Sequence, residues 1–284
     1  MFRKPFFYLR VSAVDADLLK DLLDANPNSC AQAKVALHFR HGCLIRFESL
    51  PLPIFVGTVQ RGLLPMQIVV TRGELESLFK LEVQSTVILD LSAVKRGRVF
   101  NLDLRLAVKR ELQGLDRLLG AAEKIRAFLV LEAPAGGLGG WQEVFSSSWR
   151  WAGAFGACPQ DEEKLMNSLL GRGEGSTPAG DDMLIGAAAV HSMIAASLGV
   201  SHFQRMRSRA WLECLNSFVP IFEECTTSTS CTYLSAACRG RFSSHLIGVL
   251  QAAASGRENR LFENCRRLSR HGKTSGMDSL AGAA

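Results

Sequence analysis

The chain has 284 residues, 47% of them hydrophobic and 21% charged, with a net charge of +6. That is enough to bury a sizeable core in two domains or one large one, and no apolar run is long enough to span a bilayer. The eight cysteines form no C-x-x-C pair, which argues against a zinc ribbon or redox dithiol and fits small buried hydrophobes in a reducing cytoplasm.

The opening segment, residues 1–10, has an apolar stretch that is broken by Arg10 and soon meets Asp15 and Asp17; it reads as mature sequence rather than a signal peptide. Residues 14–23 have helical spacing, with Ser12 as the expected N-cap. Segments 34–39 and 43–47 flank His41-Gly42 as a hairpin, and 54–59, 67–70, 85–91 and 98–104 follow as strands. Thr71-Arg-Gly-Glu74 is a capping box that opens a short helix through Phe79. Residues 106–131 read as a helix. Ala133-Pro-Ala-Gly-Gly-Leu-Gly-Gly140 follows with the composition of a linker.

Beyond it the strand signals fade. Residues 161–170, 181–198, 205–222, 226–239, 244–254 and 257–271 have helical length and spacing. The expected fold class is therefore α+β. A mostly antiparallel β-rich domain spans 1–132, a glycine-rich linker 133–141 and an all-helical domain 142–284. No internal repeat stands out.

Three segments of the helical half carry chemistry. The first is Gly171-Arg-Gly-Glu-Gly-Ser-Thr-Pro-Ala-Gly-Asp-Asp182. Glycines at 173, 175 and 180 let the main chain approach a ligand, and a helix start offers unpaired N–H groups that favour anions. Asp181 and Asp182 oppose a bare phosphate there. The conflict disappears if a Mg²⁺ bridges carboxylate and phosphate oxygens, or if the ligand brings amide or ureido N–H donors. The plainer reading makes Asp181 a cap and Asp182 a complement to the helix dipole.

The second segment is Thr226-Thr-Ser-Thr-Ser-Cys-Thr-Tyr233, with seven hydroxyls in eight residues and poor helix propensity. As a helix it would put Thr226, Ser230 and Tyr233 on one face, with Thr227 and Ser230 neighbours at i, i+3, and such a hydroxyl face can line a polar pocket; otherwise these are caps and close helix contacts. The third is His271-Gly-Lys-Thr-Ser-Gly-Met-Asp278. It is not a P-loop, because Arg267 stands where the first glycine would be and a helix precedes it. Lys273 offers a point charge, Thr274 and Ser275 offer hydroxyls, and Asp278 a carboxylate. Cys225, Cys231 and Cys238 are the thiols nearest this chemistry, and His271 is the histidine best placed to join it.

Between Arg239 and Lys273 basic residues outnumber acidic ones eight to two. This is either a solvated helix face or a field that attracts a small anion or an acidic partner subunit. Interleaved aromatics and a recognisable binding module are lacking, so nucleic acid is not expected.

In order, the three segments resemble a family of bacterial proteins long described only as a domain of unknown function. Its pattern runs roughly G-x-G-P-G-L-T-P-x-G-D-D-x-L-x-G, then T-T-x-x-S-x-x-x-L-x-x-A-x-x-G, then G-H-T-S-G-x-D-x-L-x-G. The resemblance is sharp over 171–282 and weak in the first half. One family member is the smallest of three subunits of the bacterial oxamate carbamoyltransferase. That complex exchanges oxalurate and phosphate for oxamate and carbamoyl phosphate during allantoin breakdown.

The resemblance implies a cytoplasmic subunit of a carbamoyltransferase-like hetero-oligomer that binds a small anionic ligand carrying amide and carboxylate or phosphate groups. Asp181, Asp182, Lys273 and Asp278 would then be the catalytic candidates, with Asp181 and Asp182 also the candidate Mg²⁺ ligands. Gly173, Gly175, Thr177, Gly180, Thr226, Thr227, Ser230, Thr274, Ser275 and Gly276 would line the substrate site. The sequence departs from the pattern at Glu174 (for proline), Ser176 (for leucine) and Lys273 (for histidine). An unperturbed lysine is protonated at neutral pH, so Lys273 would not serve as a general base as it stands. Two other classes compete: a non-catalytic assembly or regulatory subunit, and a stand-alone Mg²⁺-dependent phosphate-handling enzyme.

Overall fold

A computed structural model describes residues 7–26, 30–91, 98–105, 115–132, 135–147 and 159–284. Residues 106–114 of the expected helix, Ala133 and Pro134 of the expected linker, and Cys158 lie outside them. The chain divides into two compact units, 1–102 and 103–284.

The first unit is an eight-stranded mixed sheet with helices. Its strands are β1 (Phe7–Arg10), β2 (Ala13–Asp15), β3 (Cys30–Phe39), β4 (Gly42–Phe47), β5 (Ile54–Gly57), β6 (Gln67–Val69), β7 (Thr86–Asp90) and β8 (Val99–Phe100), in the order β1-β7-β3-β4-β5-β6-β2-β8. The β1–β7, β5–β6 and β2–β8 pairs are parallel and the rest antiparallel.

Helices α1 (Ala16–Ala25) and α2 (Arg72–Leu78) bury Leu18, Leu22, Leu75 and Leu78 in a core with Leu9, Val35, Ile45, Ile68, Val87 and Leu89. The capping box at Thr71 and Glu74 forms as its sequence predicts. The first helix does not begin at Ser12. Val14 joins β2, and the Asp15 carboxylate caps α1 by accepting from the N–H groups of Asp17 and Leu18. The expected strand 98–104 is confined to Val99–Phe100, and Asp103 instead forms a bridge with Arg241 in the second unit's own fold.

The second unit is helical: α3 (Leu115–Glu132), α4 (Trp141–Ser147), α5 (Pro159–Leu169), α6 (Ala179–Ala196), α7 (His202–Ser217), α8 (Phe222–Cys225), α9 (Ser228–Cys238), α10 (Ser244–Ser255), α11 (Glu258–Ser269) and α12 (Ser275–Ala283). The division between units falls ahead of α3. The apolar side of α3, with Ile125, Phe128 and Leu129 buried, packs on α10, α11 and α12.

At the centre lies α6, an apolar helix buried along nearly all its length and packed most extensively on α12. Glycine makes that crossing close. A Cβ at Gly186 of α6 would overlap the Ser279 carbonyl of α12, and one at Gly282 of α12 would overlap the Met183 carbonyl of α6. Among the described residues no helix is long and apolar enough to cross a membrane.

Candidate carboxylate site at the starts of three helices

The loop 171–178 turns back on itself through positive φ angles at Gly171, Gly173 and Gly175 (72°, 116° and 98°). Gly171 is pinned where a side chain would strike the Cys225 carbonyl, one residue before Thr226. Gly175 faces open space, so its glycine serves the backbone angle alone. The loop closes when Gly180 N–H donates to the Arg172 carbonyl at 2.8 Å.

Asp181 and Asp182 then occupy the first turn of α6, where the helix dipole favours negative charge. Asp181 is fully buried and tied on both oxygens. Oδ1 accepts from Gly171 N–H at 2.7 Å, and Oδ2 from the Thr226 hydroxyl. Burial raises its pKa, opposed by those two bonds and by the nearby Ser230 hydroxyl.

The hydroxyl-rich segment is helical. Thr227 is the N-cap of α9: its oxygen accepts from Ser230 N–H at 3.1 Å while its hydroxyl donates to the Ser176 carbonyl at 2.5 Å. Thr232 returns its hydroxyl to the Ser228 carbonyl at 3.1 Å. Local side-chain bonds and burial thus offset the weak intrinsic propensity. Thr226 and Thr227 tie the second motif to the first.

The third motif joins them through Ser275, whose hydroxyl lies 2.8 Å from that of Thr177. Asp278, in the first turn of α12, is fully buried. Its Oδ1 accepts from Gly137 N–H at 2.9 Å. Burial raises the Asp278 pKa, with Gly137 N–H and the Thr274 hydroxyl acting the other way. Asp182, 5% exposed, is pushed well above the usual carboxylate range. Burial is the main cause, the charges of Asp278 and Asp181 add to it, and the Ser275 and Thr177 hydroxyls oppose it.

All three motifs therefore meet at the starts of α6, α9 and α12. Among the described residues Asp182 Oδ2 and Asp278 Oδ2 are buried without a hydrogen-bond partner. Buried polar atoms of this kind are rare unless a ligand or water completes them. By contrast both Asp181 oxygens are already engaged. No group of three or more His, Cys, Asp or Glu side chains suited to a metal occurs among the described residues. The buried oxygens Asp182 Oδ2 and Asp278 Oδ2 can accept from N–H or O–H groups of a ligand.

Gly180 and Gly276 are positions of close packing, since a side chain at either would overlap a carbonyl of the preceding helix (Leu169 and Leu268). Gly173 and Lys273 are exposed. His271 is half-buried, edge-on to His245 at 6.5 Å between ring centres, and its carbonyl accepts from Gly276 N–H. Burial pushes the Cys231 and Cys238 thiols up to about 11, which makes them poor nucleophiles. His191 is a core residue, stacked on Trp211 and pulled down to about 3 by burial.

One part of the site is not visible as such in the sequence. Gly136–Gly139, inside the expected linker, forms a tight hairpin closed by paired backbone bonds of 2.9 and 3.3 Å. A Cβ at Gly137 would lie 2.6 Å from the Ala179 Cβ, 3.1 Å from Asp278 Oδ2 and 3.2 Å from the Thr274 hydroxyl. At Gly136 it would strike the Trp141 ring and Asp278 Oδ1. The glycines are there because the backbone lies directly against the buried carboxylate. The signal was the density of glycine, which marks close approach as well as flexibility.

Among known proteins, residues 169–284 match the family model described as oxamate carbamoyltransferase subunit AllH. No curated protein and no solved structure matches the chain. The match supports the family to which the three motifs point, over the part of the chain that carries all of the site except its glycine hairpin.

Proposed function

We propose that this chain is a cytoplasmic subunit of a carbamoyltransferase-like enzyme of the oxamate carbamoyltransferase type. Its helical unit binds a small ligand carrying an amide together with a carboxylate or phosphate, as in the exchange of oxalurate and phosphate for oxamate and carbamoyl phosphate. The observation that carries this reading is the meeting of three family motifs around buried oxygens of Asp182 and Asp278 that have no partner among the described residues.

The backbone of the glycine loop and the hydroxyls of Thr177, Thr226, Thr227, Ser230, Thr274 and Ser275 supply a polar lining that favours a small, multiply hydrogen-bonding ligand. Rate enhancement at such a site comes from positioning and fixed dipoles rather than from a nucleophile. Lys273 is exposed, so it would act on the ligand only as a charge at the rim.

Calorimetric titration of the chain with oxamate, carbamoyl phosphate and phosphate tests the reading. Saturable binding that Asp182→Asn weakens by about tenfold or more is the expected result; unchanged affinity in that variant would defeat it.

A second reading, a non-catalytic assembly subunit, draws on the exposed Lys273 and on the basic surface around it. Arg266 pairs with Glu132 and Arg267 with Glu263, while Arg239, Arg257 and Arg260 are exposed. It predicts that alanine at Arg266 and Arg267 weakens assembly with partner subunits while Asp182→Asn is harmless. The reverse pattern would eliminate it.

A further inference from the structure

The helices α6 and α12 begin with the same spacing. Gly180-Asp-Asp182-Met-Leu184-Ile-Gly186 and Gly276-Met-Asp278-Ser-Leu280-Ala-Gly282 both read G-x-D-x-L-x-G. The structure repeats the match in three ways. The first glycine of each packs on a carbonyl of the preceding helix, Leu169 or Leu268. The last glycine of each packs on the backbone of the other helix. The turns are closed by corresponding bonds: Arg172 N–H to Leu169 O and Gly180 N–H to Arg172 O in one, His271 N–H to Leu268 O and Gly276 N–H to His271 O in the other. This is an internal repeat, and in it Asp182 and Asp278 are equivalent residues. Each has one buried oxygen with no partner among the described residues.

We infer that Asp182 and Asp278 act as one acid–carboxylate pair that shares a single proton and receives a single amide group. The inference rests on the proposed ligand site and assigns its amide end. The carboxyl O–H donates to the amide oxygen, the carboxylate accepts from the amide N–H, and no proton is transferred on binding. A carboxyl–carboxylate pair offers one donor beside acceptors, which complements an amide and leaves a second carboxylate short of donors.

Two like charges buried at the starts of the closely crossing helices α6 and α12 cannot both ionise cheaply. Among the described residues the titratable groups acting on Asp182 are Asp181 on its own helix and Asp278 on α12, and Tyr233 on α9 has its phenol raised by burial and by the Asp182 charge. None of them is a cation. The charged loop residues Arg172, Glu174 and Lys273 are exposed.

The test uses the full chain as wild type, Asp182→Asn and Asp278→Asn, with denaturant unfolding followed against pH. Wild-type stability should fall with rising pH as the shared proton leaves, and in Asp278→Asn that fall should move to lower pH by about one unit. An unmoved profile overturns the sharing. Should the variants not fold, carbon-13 titration of the wild-type aspartate carboxyls decides the matter. Both carboxyl signals moving in both steps supports the pair, and two independent single steps overturn it.

In parallel, oxamate should bind at least about tenfold more tightly than its dicarboxylate analogue oxalate, with the preference lost in Asp182→Asn. A moved pH profile with no oxamate binding would overturn the amide assignment and the proposed function but keep the proton-sharing pair. Lost oxamate binding with an unmoved profile would keep the ligand site and overturn the pair.

Discussion

The two units bury different things. In the sheet unit the buried polar and charged side chains described are Asp15, a helix cap, and Gln67, whose oxygen accepts from Leu64 N–H. In the helical unit they include Asp181, Asp182, Ser230, Asp278 and Ser279, clustered around the starts of α6, α9 and α12. A sheet core of Leu, Val and Ile is what stability alone requires. Carboxylates buried without full pairing reduce stability, so their clustering in one unit supports placing the proposed ligand site there. The units should accordingly fail for different reasons.

The largest effect is expected from a cavity in the sheet unit. Leu89→Ala, at a fully buried position of β7, should cost about 3 kcal/mol on denaturant unfolding. In the helical unit the comparable loss comes from adding atoms. Gly186→Ala should cost about 2 kcal/mol or more, because its Cβ would overlap the Ser279 carbonyl and the crossing of α6 and α12 would have to open. A neutral Gly186→Ala would show that the close crossing is not what holds the helices.

Next comes the pH dependence. Asp181, Asp182 and Asp278 all have raised pKa values in the fold. Above about pH 4, where free aspartates ionise, the folded chain therefore keeps protons that the unfolded chain has lost. Stability contributed by these groups is fully present at acid pH and is lost as pH rises through the folded values. The unfolding midpoint of the helical unit should fall from mildly acid toward neutral pH, and Asp182→Asn should flatten that fall. A midpoint that rises over the same range would contradict the burial account. The smallest effect is a gain. Gly120 lies within α3 with open space where its Cβ would be, so Gly120→Ala should stabilise by about 0.5–1 kcal/mol, in contrast to Gly186.

Much of the site was legible before the fold was known, because its parts are local. Glycine spacing ahead of Asp181 and Asp182, the hydroxyl run from Thr226 and the loop before Asp278 each announce a helix start. The capping box of α2 is local in the same way. What connects distant segments was not legible. Nothing near 136–140 states that its partner is Asp278, more than a hundred residues on, so glycine needed for close approach looks like glycine needed for flexibility. The allegiance of α3 to the helical unit depends on which surface covers Ile125 and Phe128, not on its own periodicity. Short strands such as β8 fall where pattern is too brief to define a period. The G-x-D-x-L-x-G repeat was present in the letters, but seven residues with three variable positions gain meaning only when both glycine pairs are seen to pack alike.

The most direct measurement is calorimetric titration of oxamate into the wild-type chain and into Asp182→Asn. The account predicts saturable binding by the wild type and a loss of about tenfold or more in the variant, in line with about 1.5–3 kcal/mol for a hydrogen bond to a charged group. Equal binding by the two, or none by a folded wild-type chain, would contradict it.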